Sequence, residues 1–232
     1  MIDLYTWPTP NGQKIQIMLE ETELAYSVNP VNITEGAQFD ADFLAMSPNN
    51  KIPAIVDDEG PTIEPYTVFE SGAILLYLAD KTNKLIPPDT AGRYEAIQWL
   101  MFQLSSLGPM LGQAQYFHQH APDQSASALE RYTKEGYRLL DVLERRLDHM
   151  EFLAGDYSIA DIACFPWVRQ HDMAGLHLKN HPRVDEWRGN IEDRPAVERG
   201  LAVLEDEYVN FAESETALKN LFGAPQYLRQ RS

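Results

Sequence analysis

The hydrophobic pattern of this chain changes at one place, a proline-containing stretch at residues 85–90. Before it, short apolar runs typical of strands are interleaved with apolar residues at helical spacing, and after it only the helical spacing recurs. Alternating strands and helices predict an α/β sheet, whereas a long helical region without strands predicts an all-α domain. We therefore predict one domain at residues 1–84, a second at 90–210 and a C-terminal tail at 211–232.

The first domain is predicted to have the element order β-α-β-α-β-β-α, with a hairpin joining the last two strands. Strands are expected at 2–5, 26–33, 52–56 and 62–69, and helices at 12–22, around 39–44 and at 72–80. Pro30 cannot donate a hydrogen bond to a neighbouring strand, so we place the second strand at an edge of the sheet. This order favours an α/β fold in which helices flank one mixed sheet.

The second domain is predicted to be entirely helical, and the tail is assigned no structure. Helices are expected at 93–117, 127–149, 159–174, 183–191 and 195–208. Gly108 and Pro109 should interrupt the first of these, because proline lacks the N–H that a helix interior needs. Ser158 and Asp161 have the spacing of a capping box, in which each side chain accepts from a backbone N–H at the helix start. We interpret that pair as a folding element rather than as a catalytic one.

Charge and composition exclude several classes of function. The chain has 232 residues and a net charge of −16, and a field of that sign repels nucleic acid and anionic lipid. It contains no apolar run long enough for a transmembrane helix, and its first residues do not resemble a signal peptide. Its single cysteine, Cys164, fits a reducing compartment. We expect a cytoplasmic protein with no nucleic-acid or membrane partner.

Metal binding and nucleophilic sulfur chemistry find little support in the sequence. His118 with His120, and His177 with His181, have spacings that metal sites use, but no cysteine or carboxylate is spaced to complete four ligands. We interpret them as solvated surface histidines and expect no metal. Cys164 lies in an apolar helical run, which is typical of a small buried core residue rather than a reactive thiol.

Two short motifs point to a peptide-like ligand. Ser71 opens a predicted helix, whose N-terminus attracts anions, although a serine there often only caps its own helix. The preceding Glu70 can hold an ammonium group, so the pair suits the end of an α-amino acid. Ile52-Pro53 begins a predicted strand, and its peptide bond is either cis or that of a trans edge proline. If it is cis, the Ile52 backbone can pair with an extended peptide.

In combination these features resemble the cytosolic glutathione transferase superfamily, over residues 1 to about 208. The motifs closest to its Nu class, which comprises bacterial glutathione-dependent disulfide-bond oxidoreductases related to a fungal nitrogen-regulation protein, are at 9–12, 36–39, 47–56 and 69–78. The resemblance implies a thioredoxin-like N-terminal domain, an all-α C-terminal domain and a homodimer. It also implies that glutathione, reduced or oxidised, and a small-molecule or peptide disulfide are the substrates.

The resemblance implies that glutathione supplies the reactive sulfur. Thioredoxins place a C-x-x-C pair after the first strand, where this chain has Thr9 and Asn11. Neither residue can be a sulfur nucleophile, but both can donate hydrogen bonds to a thiolate. Thr9 and Asn11 are therefore the expected catalytic residues of a disulfide-bond reductase.

The resemblance also implies which residues hold the glutathione peptide. Those expected to contact it are Asn11, Gln38, Lys51, Ile52, Pro53, Glu70, Ser71 and Arg131. Lys51 and Arg131 are assigned to the glycine carboxylates of glutathione, and Arg131 acts either in its own subunit or across the dimer.

Two other functions stay open at this point. One is conjugation of glutathione to electrophiles, and the other is a non-catalytic glutathione-binding regulatory module. Disulfide reduction and conjugation would share a glutathione site and differ in the second pocket, which binds the other substrate. Candidates to line that pocket are Trp7, Trp99, Phe102, Tyr116 and Phe117. Tyr5 is expected to pack inside the domain rather than act as a catalytic tyrosine.

Overall fold

The computed structural model of the protein describes residues 1–121, 124–208, 211, 214–223 and 225–228. The chain divides into two compact units. The first unit combines Met1–Ile74 with Arg199–Ser232, and the second is Leu75–Glu198. The domain limits drawn from the sequence pattern, 1–84 and 90–210, stay a prediction.

The N-terminal part of the chain forms four strands and three helices. In chain order they are β1 (Ile2–Thr6), α1 (Pro10–Thr22), β2 (Tyr26–Pro30), α2 (Ala41–Met46), β3 (Ala54–Asp57), β4 (Tyr66–Phe69) and α3 (Ser71–Thr82). The sheet order is β2-β1-β3-β4, in which β1 and β2 are parallel and the other two pairings are antiparallel. This mixed sheet with its helices confirms the predicted thioredoxin-like α/β fold.

Two strands are shorter than the sequence pattern predicts. β2 lies at an edge as expected but ends at Pro30, and not at Ile33. Val31 and Ile33 are instead buried in a core cluster beyond the strand end. β4 starts at Tyr66 rather than Thr62, because the Thr62 hydroxyl bonds the Glu64 carbonyl oxygen in a local turn (2.7 Å).

The C-terminal residues complete the core of the first unit. Its buried cluster consists of Trp7, Val31, Ile33, Phe43 and Ala54. Leu204, Phe211 and Leu221 pack against that cluster from the far end of the sequence. The structure therefore corrects one expectation, because Trp7 is 2% exposed and is a core residue rather than a pocket lining. Tyr5 packs against the same cluster, as expected.

The remaining helices confirm the predicted all-α region. They are α4 (Thr90–Phe102), α5 (Gly108–Gln115), α6 (Ala126–Leu147), α7 (Ile159–Arg169), α8 (Pro182–Glu192), α9 (Pro195–Ala202), α10 (Glu215–Phe222) and α11 (Pro225–Leu228). A π-helical turn, Gln103–Leu107, separates α4 from α5 just before Gly108, where the sequence predicts an interruption. The last two helices lie in the tail, to which the sequence pattern assigns no structure.

The predicted capping box at the start of α7 is present and fully buried. Asp161 accepts hydrogen bonds from the backbone N–H groups of Leu153 (2.9 Å) and Ser158 (3.0 Å), from the Ser158 hydroxyl (3.1 Å) and from Trp187 Nε1 (3.0 Å). Burial raises the pKa of the Asp161 carboxyl to about 6, although these hydrogen bonds act to lower it. One carboxylate thus joins the loop before α7, the start of α7 and the side chain of a residue in α8.

The described histidines differ in environment. His181 is 3% exposed and its Nε2 lies 2.9 Å from Asp141 Oδ1, so the prediction of a solvated histidine is wrong at this position. Burial lowers the pKa of His120. Among the residues that the structure describes, no group of three or more His, Cys, Asp or Glu side chains could hold a metal ion. Within the same residues no helix has the length and apolarity that a membrane span requires.

Candidate functional site

The loop between β1 and α1 places two hydrogen-bond donors at a helix start. Thr9 is the N-cap of α1, and its Oγ1 accepts from the Gly12 backbone N–H (3.3 Å). Because that contact uses only the oxygen of the hydroxyl, the Thr9 proton can still be donated to a ligand. Asn11 follows at the second position of the helix and is half-buried. Both side chains are near the positive end of the α1 dipole, which favours an anion.

Gly12 fixes how closely α1 approaches the loop that precedes it. A Cβ atom on Gly12 would lie 2.1 Å from the Trp7 carbonyl oxygen and 2.6 Å from Thr6 Oγ1. No side chain fits in that space without a shift of backbone. A glycine is therefore needed for the first turn of α1 to sit against the end of β1, and this contact sets the position of Thr9 and Asn11.

A buried lysine links α1 to the start of α3. Lys14 Nζ donates to Ser71 Oγ over 3.2 Å, and the two residues are 1% and 6% exposed. Ser71 is the first residue of α3, where Glu70 precedes it with a left-handed φ of 68°. The second turn of α1 and the first residue of α3 are thereby connected through one ammonium group, a contact that the sequence analysis does not predict.

The carboxylate of Glu70 is exposed but oriented by a neighbour. Asn49 Nδ2 donates to Glu70 Oε1 over 2.9 Å, and the Glu70 carbonyl oxygen accepts from the Ile74 backbone N–H (2.9 Å). The second bond starts α3 and the first restrains the carboxylate beside it. Asn49 is thus a further residue of this region, and its only signal in the sequence is its place in the polar pair before Lys51.

The segment before β3 contains two of the predicted ligand-binding residues, Ile52 and Pro53. The Ser47 hydroxyl donates to the Lys51 carbonyl oxygen (2.8 Å), which closes a tight loop. The Ile52-Pro53 peptide bond is cis, one of the two alternatives that the sequence leaves open. Ile52 lies just before the first paired residue of β3, Ala54, so it stands outside the pairings of the sheet.

Lys51 lies next to the C-terminal segment. Its Nζ donates to Gln226 Oε1 (3.1 Å), and the Gln226 amide in turn donates to the Asn220 carbonyl oxygen (3.2 Å). The side-chain amide of Asn220 donates to the Thr34 carbonyl oxygen (2.8 Å). Burial lowers the pKa of the Lys51 ammonium. The tail therefore reaches one of the predicted ligand-binding residues.

Gln38 is a buried amide with unused hydrogen-bonding capacity. It is 2% exposed, and neither its oxygen nor its nitrogen has a hydrogen-bond partner among the described residues. A buried polar group without a partner costs about 1–3 kcal/mol. A ligand that supplies a donor and an acceptor here would remove that cost.

The other predicted site residues belong to the second unit. Arg131 lies in the second turn of α6 and is exposed. The aromatic residues proposed to line a second pocket form pairs there: Trp99 with Phe102 at a centroid distance of 5.4 Å, and Tyr116 with Phe117 at 5.1 Å. Of the predicted site residues, the first unit therefore contains Thr9, Asn11, Gln38, Lys51, Ile52, Pro53, Glu70 and Ser71.

Two family models together match more than half of this chain. The model of the glutathione S-transferase N-terminal domain matches residues 1–80, and that of the glutathione S-transferase C-terminal domain matches residues 107–195. The chain belongs to the glutathione transferase family.

Curated relatives of this glutathione transferase include two disulfide-bond oxidoreductases of Escherichia coli K12. YfcG is 49% identical over 214 residues, which cover 89% of this chain and 98% of the relative. YghU is 40% identical over 217 residues, which cover 87% of this chain and 74% of the relative. Both relatives thus match it over most of their own length.

Solved structures of similar glutathione transferases contain glutathione in two forms. The enzyme from Burkholderia graminis, with two glutathione molecules bound per subunit, is 49% identical with a TM-score of 0.82 and covers 86% of this chain and 87% of its own. The enzyme from Pseudomonas putida, with one glutathione disulfide per subunit, is 44% identical with a TM-score of 0.83 and covers 87% and 91%. The predicted fold and family are therefore both confirmed.

Proposed function

We propose that this glutathione transferase is a glutathione-dependent disulfide-bond reductase in which glutathione supplies the sulfur. The observation that carries the proposal is the start of α1, where Thr9 and Asn11 take the place of a cysteine. The chain's own Cys164 is fully buried in α7. The names of its bacterial relatives, and the bound glutathione in similar structures, support the same function.

The reaction needs two glutathione thiolates and no other reductant. The first thiolate attacks one sulfur of the substrate disulfide, the S–S bond breaks, and the departing thiolate takes a proton from water. A second glutathione thiolate then attacks the glutathione sulfur of this mixed disulfide and releases the second substrate sulfur as a thiolate, which is also protonated. The substrate gains two electrons and glutathione is oxidised to its disulfide. In this scheme Thr9 and Asn11 hold the attacking thiolate by hydrogen bonds.

The remaining predicted residues hold the ends of the glutathione peptide. Glu70 accepts from the ammonium of the γ-glutamyl residue, and Ser71 with the N-terminus of α3 binds its α-carboxylate. The backbone at Ile52-Pro53 pairs with the peptide. The side-chain amide of Gln38, which has no hydrogen-bond partner among the described residues, forms hydrogen bonds with the same peptide. Lys51, with its ammonium partly removed from water, binds a glycine carboxylate.

Three further parts of the proposal concern the whole protein. We propose a homodimer located in the cytoplasm, in which Arg131 binds a second glycine carboxylate in its own or the partner site. The single cysteine supports that location. Residues 1–84 are proposed as the glutathione-binding domain, 90–210 as the helical domain and 211–232 as the tail.

Purified protein is expected to reduce a small disulfide with glutathione far faster than it conjugates glutathione to a chlorinated nitroaromatic compound. The reason is that Thr9 and Asn11, two hydrogen-bond donors for a glutathione thiolate, stand where other members of the family have a catalytic tyrosine or cysteine. Both reactions are measured on one preparation by absorbance. Efficient conjugation without disulfide reduction would favour a conjugating transferase, and glutathione binding with neither reaction would favour a regulatory module.

Replacing Cys164 by alanine is expected to keep disulfide reduction within a few-fold of the wild-type rate. Cys164 is 0% exposed, and no second cysteine exists with which it could form an intrachain pair. The measurement is turnover at saturating glutathione, with thermal unfolding as the control for folding. Loss of turnover in a folded Cys164→Ala protein would mean that the chain provides a reactive sulfur of its own.

A further inference from the structure

The ammonium of Lys14 is buried in the first unit. Lys14 is 1% exposed and lies among buried residues of α1, such as Ile15 and Ile17. Removing an ammonium from water is costly, and an apolar residue of similar volume is often as stabilising or more so. A buried lysine therefore needs an explanation beyond packing, and its contact with Ser71 supplies one.

The direction of the Lys14–Ser71 hydrogen bond is determined by chemistry. An ammonium group carries only donors, so the Ser71 oxygen must be the acceptor in this 3.2 Å contact. The proton of the Ser71 hydroxyl is then left for another acceptor. At the first residue of α3, an incoming anion is such an acceptor, because the free N–H groups of a helix start attract negative charge.

We propose that Lys14 is a positioning residue for bound glutathione: its ammonium takes the acceptor side of the Ser71 hydroxyl, so that the hydroxyl donates its proton to the α-carboxylate of the γ-glutamyl residue. This inference rests on the proposed function, because it assumes that Ser71 binds that carboxylate. The ammonium of Lys14 acts on the ligand through Ser71 and does not itself contact the ligand.

The charge of Lys14 strengthens the same interaction. A helix N-terminus is equivalent to about half an elementary charge, whereas the ammonium provides a full one. It is separated from the expected carboxylate by a single hydroxyl, and both Lys14 and Ser71 are buried, so solvent screens the ammonium only weakly. Lys14 thus acts on ligand affinity, in contrast to Thr9 and Asn11 on the same helix, which act on the thiolate.

The test is a double-mutant cycle on glutathione affinity. Lys14→Met keeps the volume of the side chain and removes its charge, and Ser71→Ala removes the hydroxyl. Binding of reduced glutathione is measured by calorimetry for the wild type, both single variants and the double variant. We expect Lys14→Met to weaken binding about ten- to a hundred-fold, equivalent to about 1.4–2.8 kcal/mol. The loss of affinity in the double variant should be smaller than the sum of the two single losses, since Lys14 acts in part through Ser71.

A second readout separates positioning from support of the fold. At saturating glutathione, Lys14→Met should keep turnover within a few-fold while the Michaelis constant for glutathione rises with the dissociation constant. Lys179→Met, which removes an exposed positive charge from the other unit, is the matched control and should change neither value. Where Lys14→Met does not fold, Lys14→Gln, which is neutral and shorter, replaces it and should weaken binding at least five-fold.

The outcomes distinguish failure of this inference from failure of the proposed function. Unchanged affinity in Lys14→Met or Lys14→Gln, with weakened affinity in Ser71→Ala, would overturn the role of Lys14 alone. Additive losses in the double variant would also overturn it, because they would mean that Lys14 does not act through Ser71. If the wild type does not bind glutathione, or if Ser71→Ala binds it with full affinity, the proposed glutathione site itself is contradicted.

Discussion

Replacing Asn11 by aspartate is expected to lower the rate of disulfide reduction about ten- to a hundred-fold without loss of stability. The change removes one amide donor, and a hydrogen bond to a charged group is worth about 1.5–3 kcal/mol. If that bond is strongest in the transition state, the loss corresponds to about one to two powers of ten in rate. The new carboxylate also repels the thiolate. In contrast, a negative charge in the first turn of α1 favours the helix itself.

This pattern distinguishes a donor from a residue that only shapes the turn before Gly12. The pKa of the bound glutathione thiol is measured by thiolate absorbance, together with turnover at saturating glutathione and the free energy of unfolding. Because the thiolate loses a stabilising donor, its pKa should rise in the variant. Thr9→Val should have the same effect, whereas Thr9→Ser keeps both the hydroxyl and the helix cap and is the matched control. An unchanged thiol pKa in both Asn11→Asp and Thr9→Val would contradict the donor role.

Replacing Asp161 by alanine is expected to lower the free energy of unfolding by about 3–5 kcal/mol, a value typical of breaking a buried charged interaction. The change leaves the N–H groups of Leu153, Ser158 and Trp187 buried without their acceptor. Each such group costs about 1–3 kcal/mol. Urea unfolding at neutral pH measures the effect. Asp156→Ala, at an exposed position in the same loop, is the control and should change stability by less than about 0.5 kcal/mol.

The contribution of Asp161 to the stability of the fold depends on pH in a defined direction. Its pKa in the folded protein, about 6, is above the ordinary value of 3.8, so the folded state holds this proton more tightly than the unfolded state. Its contribution to stability is therefore fully present below pH 3.8 and is lost as the pH rises through about 6. Asp161→Asn does not titrate, so its stability relative to wild type should increase across that window. A constant difference between the two proteins would contradict the raised pKa.

Local patterns were sufficient for most of the fold and for part of the site. The alternation in β1, the apolar run of β3, the helical stripe of α6 and the spacing of Ser158 and Asp161 are short-range signals, and the structure confirms each of them. The helix start at Ser71 was predictable for the same reason, whereas α1 begins at Pro10, two residues before the predicted start at Gly12.

What the sequence did not reveal depends on contacts between distant residues. Lys14 meets Ser71 across 57 positions, and no periodicity signals a bond of that range. The sequence pattern suggested a surface position for His181, whereas in the structure it is buried beside Asp141 of α6. Trp7 was a candidate for lining a second pocket, but it forms a buried cluster with residues from beyond β2, and C-terminal residues pack against that cluster. In each case the partner is chosen by tertiary packing rather than by local propensity.

The packing of Leu204 and Leu221 against the cluster that contains Trp7 has a consequence for biosynthesis. A ribosome delivers the strands of the first unit early, but it delivers two of the side chains that pack on their apolar cluster only after residues 75–198, the whole second unit. Until then the nascent chain presents Trp7, Val31 and Phe43 with part of their cover missing, and exposed apolar surface of this kind invites aggregation. The first unit can therefore reach its final stability only after Leu221 has been translated, and a chain stalled or truncated before Leu204 is the form of this protein most in need of a chaperone.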